Sequence, residues 1–292
     1  MDGLVASNTG VVWQDLTGRG KMKFWKMTGS GNDFIILDGR VTRPEDWSSD
    51  RIVEMCHRRN GVGGDGLVIL TPEGAGVVRM SFYNSDGSRA SMCGNAALCS
   101  TTLAACLEMA PSGAMRLATG AGIFPTRTTG RPNESSLNLP DFDLPTPMSL
   151  PLVAGEEGIW YSEVGVPHLT VLVEDVEKVD LMGRGRALRF DPGLGKAGAN
   201  VNFLTPDPAS GGSKWLMRTY ERGVEGETLA CGTGAVASAV ALARFAGSQL
   251  PVDIVSRGGR TLAVKATLGP EKATDVWLTG EGRLVFEGTL LD

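Results

Sequence analysis

From Met22 onward the chain alternates short apolar runs with glycine-containing turns. Val78, Met80 and Phe82 recur at every second position, which is the signature of a strand with one face in a core. Strands are predicted over 23–27, 34–38, 67–71 and 77–84, and again within 115–139. A helix over about 49–58 interrupts them, with Ser49 as its cap and Ile52, Val53 and Cys56 on its apolar side. The same rhythm resumes later, with strands predicted over 159–164, 168–174, 200–205, 214–222, 252–256, 261–267, 274–279 and 282–290. Most connections are too short for parallel crossovers, so the sheets should be mainly antiparallel.

Two stretches break this strand rhythm in the same way. Gly94 to Leu107 and Gly232 to Ala243 carry no charged residue, and each begins directly after a cysteine, Cys93 or Cys231. A helix that is apolar all round must be buried all round, so each should form the centre of a wrapped sheet. The approaches match too: a strand ends in Asn84 or Glu221, and a glycine-containing turn leads to the cysteine. Between the halves, residues 139–151 hold four prolines, which suits a linker better than a helix or central strand. The expected fold is therefore α/β of the α+β type, with two pseudo-symmetric domains, each a mainly antiparallel, barrel-like sheet around an apolar helix. The expected division is an N-terminal extension over 1–21, a first domain over 22–140 and a second over 141–280, with the last strand, 281–292, able to return to the first.

Composition narrows the chemistry. Lysine and arginine number 28 against 33 acidic residues, a net charge of -5 that leaves no basic footprint for nucleic acid or an anionic membrane. No apolar run reaches the ~18 residues of a membrane span, and no secretory signal pattern opens the chain, so a cytoplasmic location is expected. Five cysteines and two histidines make neither a disulfide framework nor a zinc pattern, so reduced thiols and no metal are expected. Glycine, at 40 residues, is far above its usual share and implies tight turns and close approaches of backbone.

A cysteine at a helix start sits beside unpaired N–H groups and a positive dipole end, which lower a thiol's pKa and bind a carboxylate. Two such cysteines on facing pseudo-symmetric domains would place sulfur on opposite sides of one carbon. That arrangement suits inversion of a stereocentre: one thiolate removes the α-proton and the opposing thiol delivers another, without a carbonyl cofactor. The N–H groups of Gly94, Asn95, Gly232 and Thr233 would stabilise the carbanion as its charge spreads into the carboxylate.

At these residues the chain closely resembles the diaminopimelate epimerase family. The likeness runs through Lys26-Met27-Thr28-Gly29-Ser30-Gly31-Asn32-Asp33-Phe34, Asn84-Ser85-Asp86-Gly87-Ser88, Cys93-Gly94-Asn95, Pro167-His168, Asn200-Val201-Asn202-Phe203 and Glu221-Arg222-Gly223, ending in Glu227-Thr228-Leu229-Ala230-Cys231-Gly232-Thr233-Gly234. The resemblance implies that Cys93 and Cys231 interconvert LL- and meso-2,6-diaminopimelate, without a cofactor, in lysine and cell-wall precursor synthesis. It implies that Asn32, Asn84, Asn200, Glu221 and Arg222 hold the substrate, that His168 lies near the reacting centre, and that the protein is a homodimer. Four positions depart from the family pattern: Val166 precedes the Pro-His pair where many members have asparagine, Ala96 and Leu98 replace a glycine and an arginine, and Gly66 stands where some members have a glutamine.

Other readings compete. A same-fold racemase for another amino acid, such as histidine, would keep both cysteines, and a binding protein would capture an amino acid without turning it over. Cys99 and Cys106 lie within the first apolar run and read as core, while Cys56 and His57 are helix neighbours that point to different faces. Gly61 to Gly66 fits a dinucleotide pattern, but it follows a helix and precedes a strand, the reverse of the order that pattern needs.

Overall fold

The computed structural model describes residues 22–290; the extension expected over 1–21 lies outside them. The first half contains β1 (Met22–Gly29), β2 (Asn32–Asp38), β3 (Gly66–Gly74), β4 (Val77–Asn84), β5 (Arg89–Ala90), β6 (Met115–Thr119), β7 (Gly122–Thr128), β8 (Glu134–Leu139) and β9 (Phe142–Asp143), with helices α1 (Ser49–Cys56) and α2 (Gly94–Cys106). The second half contains β10 (Thr146–Pro147), β11 (Glu156–Val164), β12 (Val166–Val173), β13 (Asn200–Pro206), β14 (Lys214–Glu221), β15 (Gly226–Thr228), β16 (Val252–Val255), β17 (Thr261–Leu268), β18 (Lys272–Glu281) and β19 (Arg283–Leu290). Its helices are α3 (Arg186–Arg189) and α4 (Gly232–Phe245).

Strand pairing repeats between the halves. β1–β2–β3–β4–β6–β7–β8 are neighbours in that order, as are β11–β12–β13–β14–β16–β17–β18. Pairing is mainly antiparallel, but four pairs are parallel: β2–β3, β4–β6, β12–β13 and β14–β16. Each parallel pair is bridged by a crossover containing a helix: α1, α2, α3 and α4 respectively, which is the length such a connection requires. The halves are stitched together by β8 against β18 and by β19 returning to pair with β1.

Each long helix has no polar face to expose, and the sheet surrounds it. α2 lies against β1, β2, β3, β4, β6, β7, β8, β18 and β19, and residues 95–104 of it are all buried. α4 lies against β11, β12, β13, β16, β17 and β18, with residues 234–242 buried. Ala96 and Leu98, the departures from the family pattern on α2, are fully buried core residues.

Some local expectations are corrected. Ser48, not Ser49, caps α1: its Oγ accepts from the Arg51 N–H at 3.2 Å, and the helix stops at Cys56, before the exposed turn at His57. The proline-rich 139–151 segment is not unpaired. Phe142 and Asp143 pair with β18, and Thr146 and Pro147 pair with β11, as two-residue strands that leave the prolines at edges where no N–H is needed.

Candidate active site

Both cysteines stand at helix N-caps in extended backbone, Cys93 before α2 and Cys231 before α4. A methyl group added at Gly94 would lie 3.7 Å from Leu278 Cδ2, and one added at Gly232 would lie 3.0 Å from the same atom. The two helix starts therefore flank one side chain of β18, the strand that joins the halves. Two positive dipole ends converge there, which makes the point between them a site for an anion. All five cysteines are free thiols.

Burial overturns one expectation. Cys231 is pushed up to about 12, first by burial and then by the negative charge of Glu221, and Cys93 is also raised, chiefly by burial, with Glu221 and Asp65 adding to it. The N–H groups of Ala96 and Asn95 at Cys93, and of Gly234 at Cys231, act in the opposite direction but are outweighed. Sequence spacing reveals the dipole end and conceals the desolvation. Both thiols therefore rest protonated, and because charge on Cys93 further raises Cys231, ionising one suppresses the other. A single negative charge on the pair leaves one base and one acid.

A different set of side chains backs each helix start. Behind α2, Asn95 Nδ2 donates to Asn32 Oδ1 at 2.7 Å, and Asn32 Nδ2 donates to Asp65 Oδ2 at 3.0 Å. Asp65 is held by Arg58 (Nη2 to Oδ1, 2.7 Å), which also binds Asp33, and Asp33 pairs with buried Lys26 at 2.6 Å. Burial works against the Asp33 carboxylate, but Arg58 and Lys26 together hold it below the usual carboxylate range. Lys26 also donates to the carbonyl of Gly63 and so holds the glycine-rich turn 61–66 that carries Asp65. Asn95 Oδ1 is buried with no hydrogen-bond partner among the described residues, which leaves it a free acceptor.

Behind α4, buried His168 has Nε2 3.0 Å from Thr233 Oγ1, and Thr233 Oγ1 is 3.8 Å from Cys231 Sγ. Burial, with Arg222 adding to it, pushes His168 down to about 3, so its ring is neutral. Asn200 Oδ1 accepts from the Arg222 N–H at 2.7 Å and fixes the turn at the end of β14, where burial raises the Glu221 carboxyl. Asn200 and His168 are direct partners across the parallel β12–β13 pair, as Gly66 and Phe34 are across β2–β3, so Gly66 is the pseudo-symmetric counterpart of Asn200.

The structure thus brings Cys93, Gly94, Asn95 and Asn32 to one helix start and Cys231, Gly232, Thr233 and His168 to the other, with Glu221 acting on both sulfurs. Asn84 stands slightly apart: it is opposite Gly66 on β3, and its Nδ2 donates to Ser88 Oγ at 2.9 Å. Cys56 is buried and pushed up to about 11 chiefly by burial, and His57 Nδ1 accepts from the N–H groups of Arg59 and Asn60, so these neighbours form no dyad. Sequence reasoning missed Asp65, Asn202 and Leu278. Asn202 had a signal: it lies two positions after Asn200 on one strand, hence on the same face.

Comparison with known proteins follows the same outline. The sequence model of the family described as diaminopimelate epimerase matches residues 24–134 and 160–281. The diaminopimelate epimerase of Gemmatimonas aurantiaca is 44% identical over 285 residues, covering 92% of this chain and 99% of its own. That of Aquifex aeolicus is 38% identical over 283 residues, covering 92% and 98%. Among solved structures, a phenazine biosynthesis protein of the PhzF family from Enterococcus faecalis has a TM-score of 0.69 at 13% identity, covering 93% of this chain and 99% of its own. A probable proline racemase from Agrobacterium radiobacter K84 has a TM-score of 0.62 at 17% identity, covering 93% of each chain. At such identities the structural likeness concerns the fold.

Proposed function

Because the chain belongs to the diaminopimelate epimerase family, we propose that it interconverts LL- and meso-2,6-diaminopimelate with Cys93 and Cys231 as its two acid–base residues. The observation that supports this most is the pair of cysteine-capped helix starts flanking Leu278. The substrate's α-carboxylate sits between the two dipole ends, where the N–H groups of Gly94, Asn95, Gly232 and Thr233 receive the charge that grows as the α-proton leaves. One sulfur, as thiolate, takes that proton into its S–H bond. The carbon's electron pair then takes a proton from the opposing S–H, and that sulfur becomes the thiolate. The reverse reaction exchanges the two roles.

High thiol pKa values serve this chemistry. A thiolate formed against burial is a stronger base, and its partner, which ionises less readily once the first has done so, remains the acid. Asn95 Oδ1 and the Glu221 carboxylate are acceptors for the substrate ammonium, and the Arg222 fork suits its distal carboxylate. Asn32, Asn84 and Asn200 complete the polar set. The reaction belongs to lysine and cell-wall precursor synthesis in the cytoplasm, and the enzyme works as a homodimer, each subunit divided into two domains near residue 141.

Cys93→Ala and Cys231→Ala should each lower epimerisation under reducing conditions by at least about 1,000-fold, since each removes a proton carrier with no substitute. Wild-type turnover by either variant would refute the two-base assignment. Sedimentation equilibrium should return twice the 30.8 kDa chain mass, and a monomer would refute the dimer.

A further inference from the structure

The two helix starts look equivalent in sequence, yet the hydrogen bonds behind them run in opposite senses. Behind α2, the Asp65 carboxylate can only accept, so Asn32 turns its Nδ2 toward it and its Oδ1 toward Asn95. The Asn95 amide therefore gives its donor to Asn32. Behind α4 the donors point toward the thiol.

Asn202 begins that chain. It is fully buried, its Oδ1 accepts from Thr219 Oγ1 at 2.9 Å, and its Nδ2 donates both to the Leu169 carbonyl at 3.0 Å and toward His168 Nδ1 at 3.3 Å. A carbonyl can only accept, so the amide cannot be reversed. His168 Nδ1 consequently carries no proton, and the neutral ring holds its proton on Nε2, 3.0 Å from Thr233 Oγ1. A hydroxyl that accepts from imidazole has its own proton free to turn, and Cys231 Sγ lies 3.8 Å away. Gly234 permits this packing: a methyl group there would lie 2.4 Å from Asn202 Oδ1 and 3.1 Å from Cys231 Sγ.

We propose that Asn202, whose hydrogen bonds go to Thr219, Leu169 and His168 and to neither sulfur, is a positioning residue for the Cys231 half of the reaction. It fixes His168 as the Nε2–H tautomer and thereby makes the Thr233 hydroxyl a donor to Cys231. The inference rests on Cys231 being an acid–base residue. When Cys231 gives up its proton, the Thr233 O–H stabilises the thiolate left behind. No proton passes along the chain, and His168 stays neutral throughout. Cys93 has no such donor chain behind it among the described residues, so the two half-reactions differ although the helix starts are alike.

The test uses reduced, 15N-labelled full-length protein. Two-bond proton–nitrogen spectra should show His168 protonated at Nε2 and bare at Nδ1, with the His57→Gln variant removing the one other histidine signal. In Asn202→Asp the buried carboxylate can only accept, so the ring proton should move to Nδ1. Iodoacetamide labelling followed by peptide mass spectrometry should then show Cys231 thiolate reactivity down roughly ten-fold at fixed pH and Cys93 unchanged, the worth of one hydrogen bond to a charged group. Thr233→Val should reproduce the Cys231 effect, and the double variant should be no slower than either single one. An Nδ1–H ring in the wild-type protein overturns the proposal even if Asn202→Asp fails to fold, and equal slowing at both cysteines reduces Asn202 to a structural role. Neither readout needs substrate. An enzyme that epimerises with the other tautomer loses this inference alone, whereas one that shows the donor chain but does not epimerise loses the proposed function.

Discussion

At the scale of single residues, the site depends on groups kept neutral by burial. His168 is fully buried, and its ring is pushed down to about 3 from an ordinary 6.5. Between those pH values the unfolded chain binds a proton that the folded chain does not, so acidification through that window costs stability, at about 1.4 kcal/mol per pH unit for one proton. The stability difference between wild-type and His168→Gln, from urea unfolding, should therefore shrink by roughly 2–3 kcal/mol between pH 7 and pH 4. A difference that stays constant would mean that His168 is not held uncharged. The residue scale is also where the sequence is least informative. Cys93 and Cys231 can be picked out because glycine follows each and no charge comes for a dozen positions. The direction of their pKa shift cannot, because it depends on how much protein surrounds the sulfurs. Asp65 escaped notice because its role comes from contacts with Asn32 and Arg58, 33 and 7 positions away in the chain.

At the scale of elements, the two apolar helices control the packing around them, and glycines permit the closest approaches. Gly282, between β18 and β19, lies so close to α2 that a methyl group would sit 2.6 Å from the Leu98 carbonyl oxygen and 2.7 Å from Thr102 Oγ1. Gly282→Ala should therefore lower stability by roughly 1–3 kcal/mol, because the opposing atoms are mostly backbone and cannot rotate away. Gly113→Ala, with nothing near its added methyl, should stay within about 0.5 kcal/mol of wild type, and thermal melting of the pair checks the contrast. Equal melting temperatures would contradict the packing described. Elements with strong internal signals were legible: the charge-free runs became α2 and α4, and the alternation at Val78, Met80 and Phe82 became β4. Elements whose signal lies elsewhere in the chain were not. β9 and β10 are two residues each and exist because β18 and β11 offer them partners. The helical turns over 181–189 contain Gly183 and Gly185, which propensity disfavours. Asp180 Oδ1 accepts the Gly183 N–H at 3.0 Å, and a methyl group at Gly185 would lie 2.8 Å from Tyr220 Cβ.

At the scale of the whole molecule, the pairing order of one half repeats in the other, and β8–β18 and β1–β19 lock the halves together. This brings the glycines that follow two cysteines 138 positions apart in the chain to one side chain of β18. The duplication was visible in the sequence as repeated cysteine-glycine helix starts. The pairing of β8 with β18 was not, because nothing local in 134–139 indicates a partner near residue 278. The β1–β2 turn also meets the loop before Cys231: a methyl group at Gly31 would lie 2.8 Å from Leu229 Cβ, and Gly258 N–H donates to the Leu229 carbonyl at 2.9 Å. Residues of both halves therefore meet beside the loop that leads to Cys231. The most direct test of the account is proton NMR of LL-2,6-diaminopimelate with freshly reduced protein in deuterium oxide. Loss of the α-proton signal with the meso isomer appearing, deuterated at the inverted centre, is the predicted result. Absence of exchange and of meso product, with the protein folded and reduced, would contradict it.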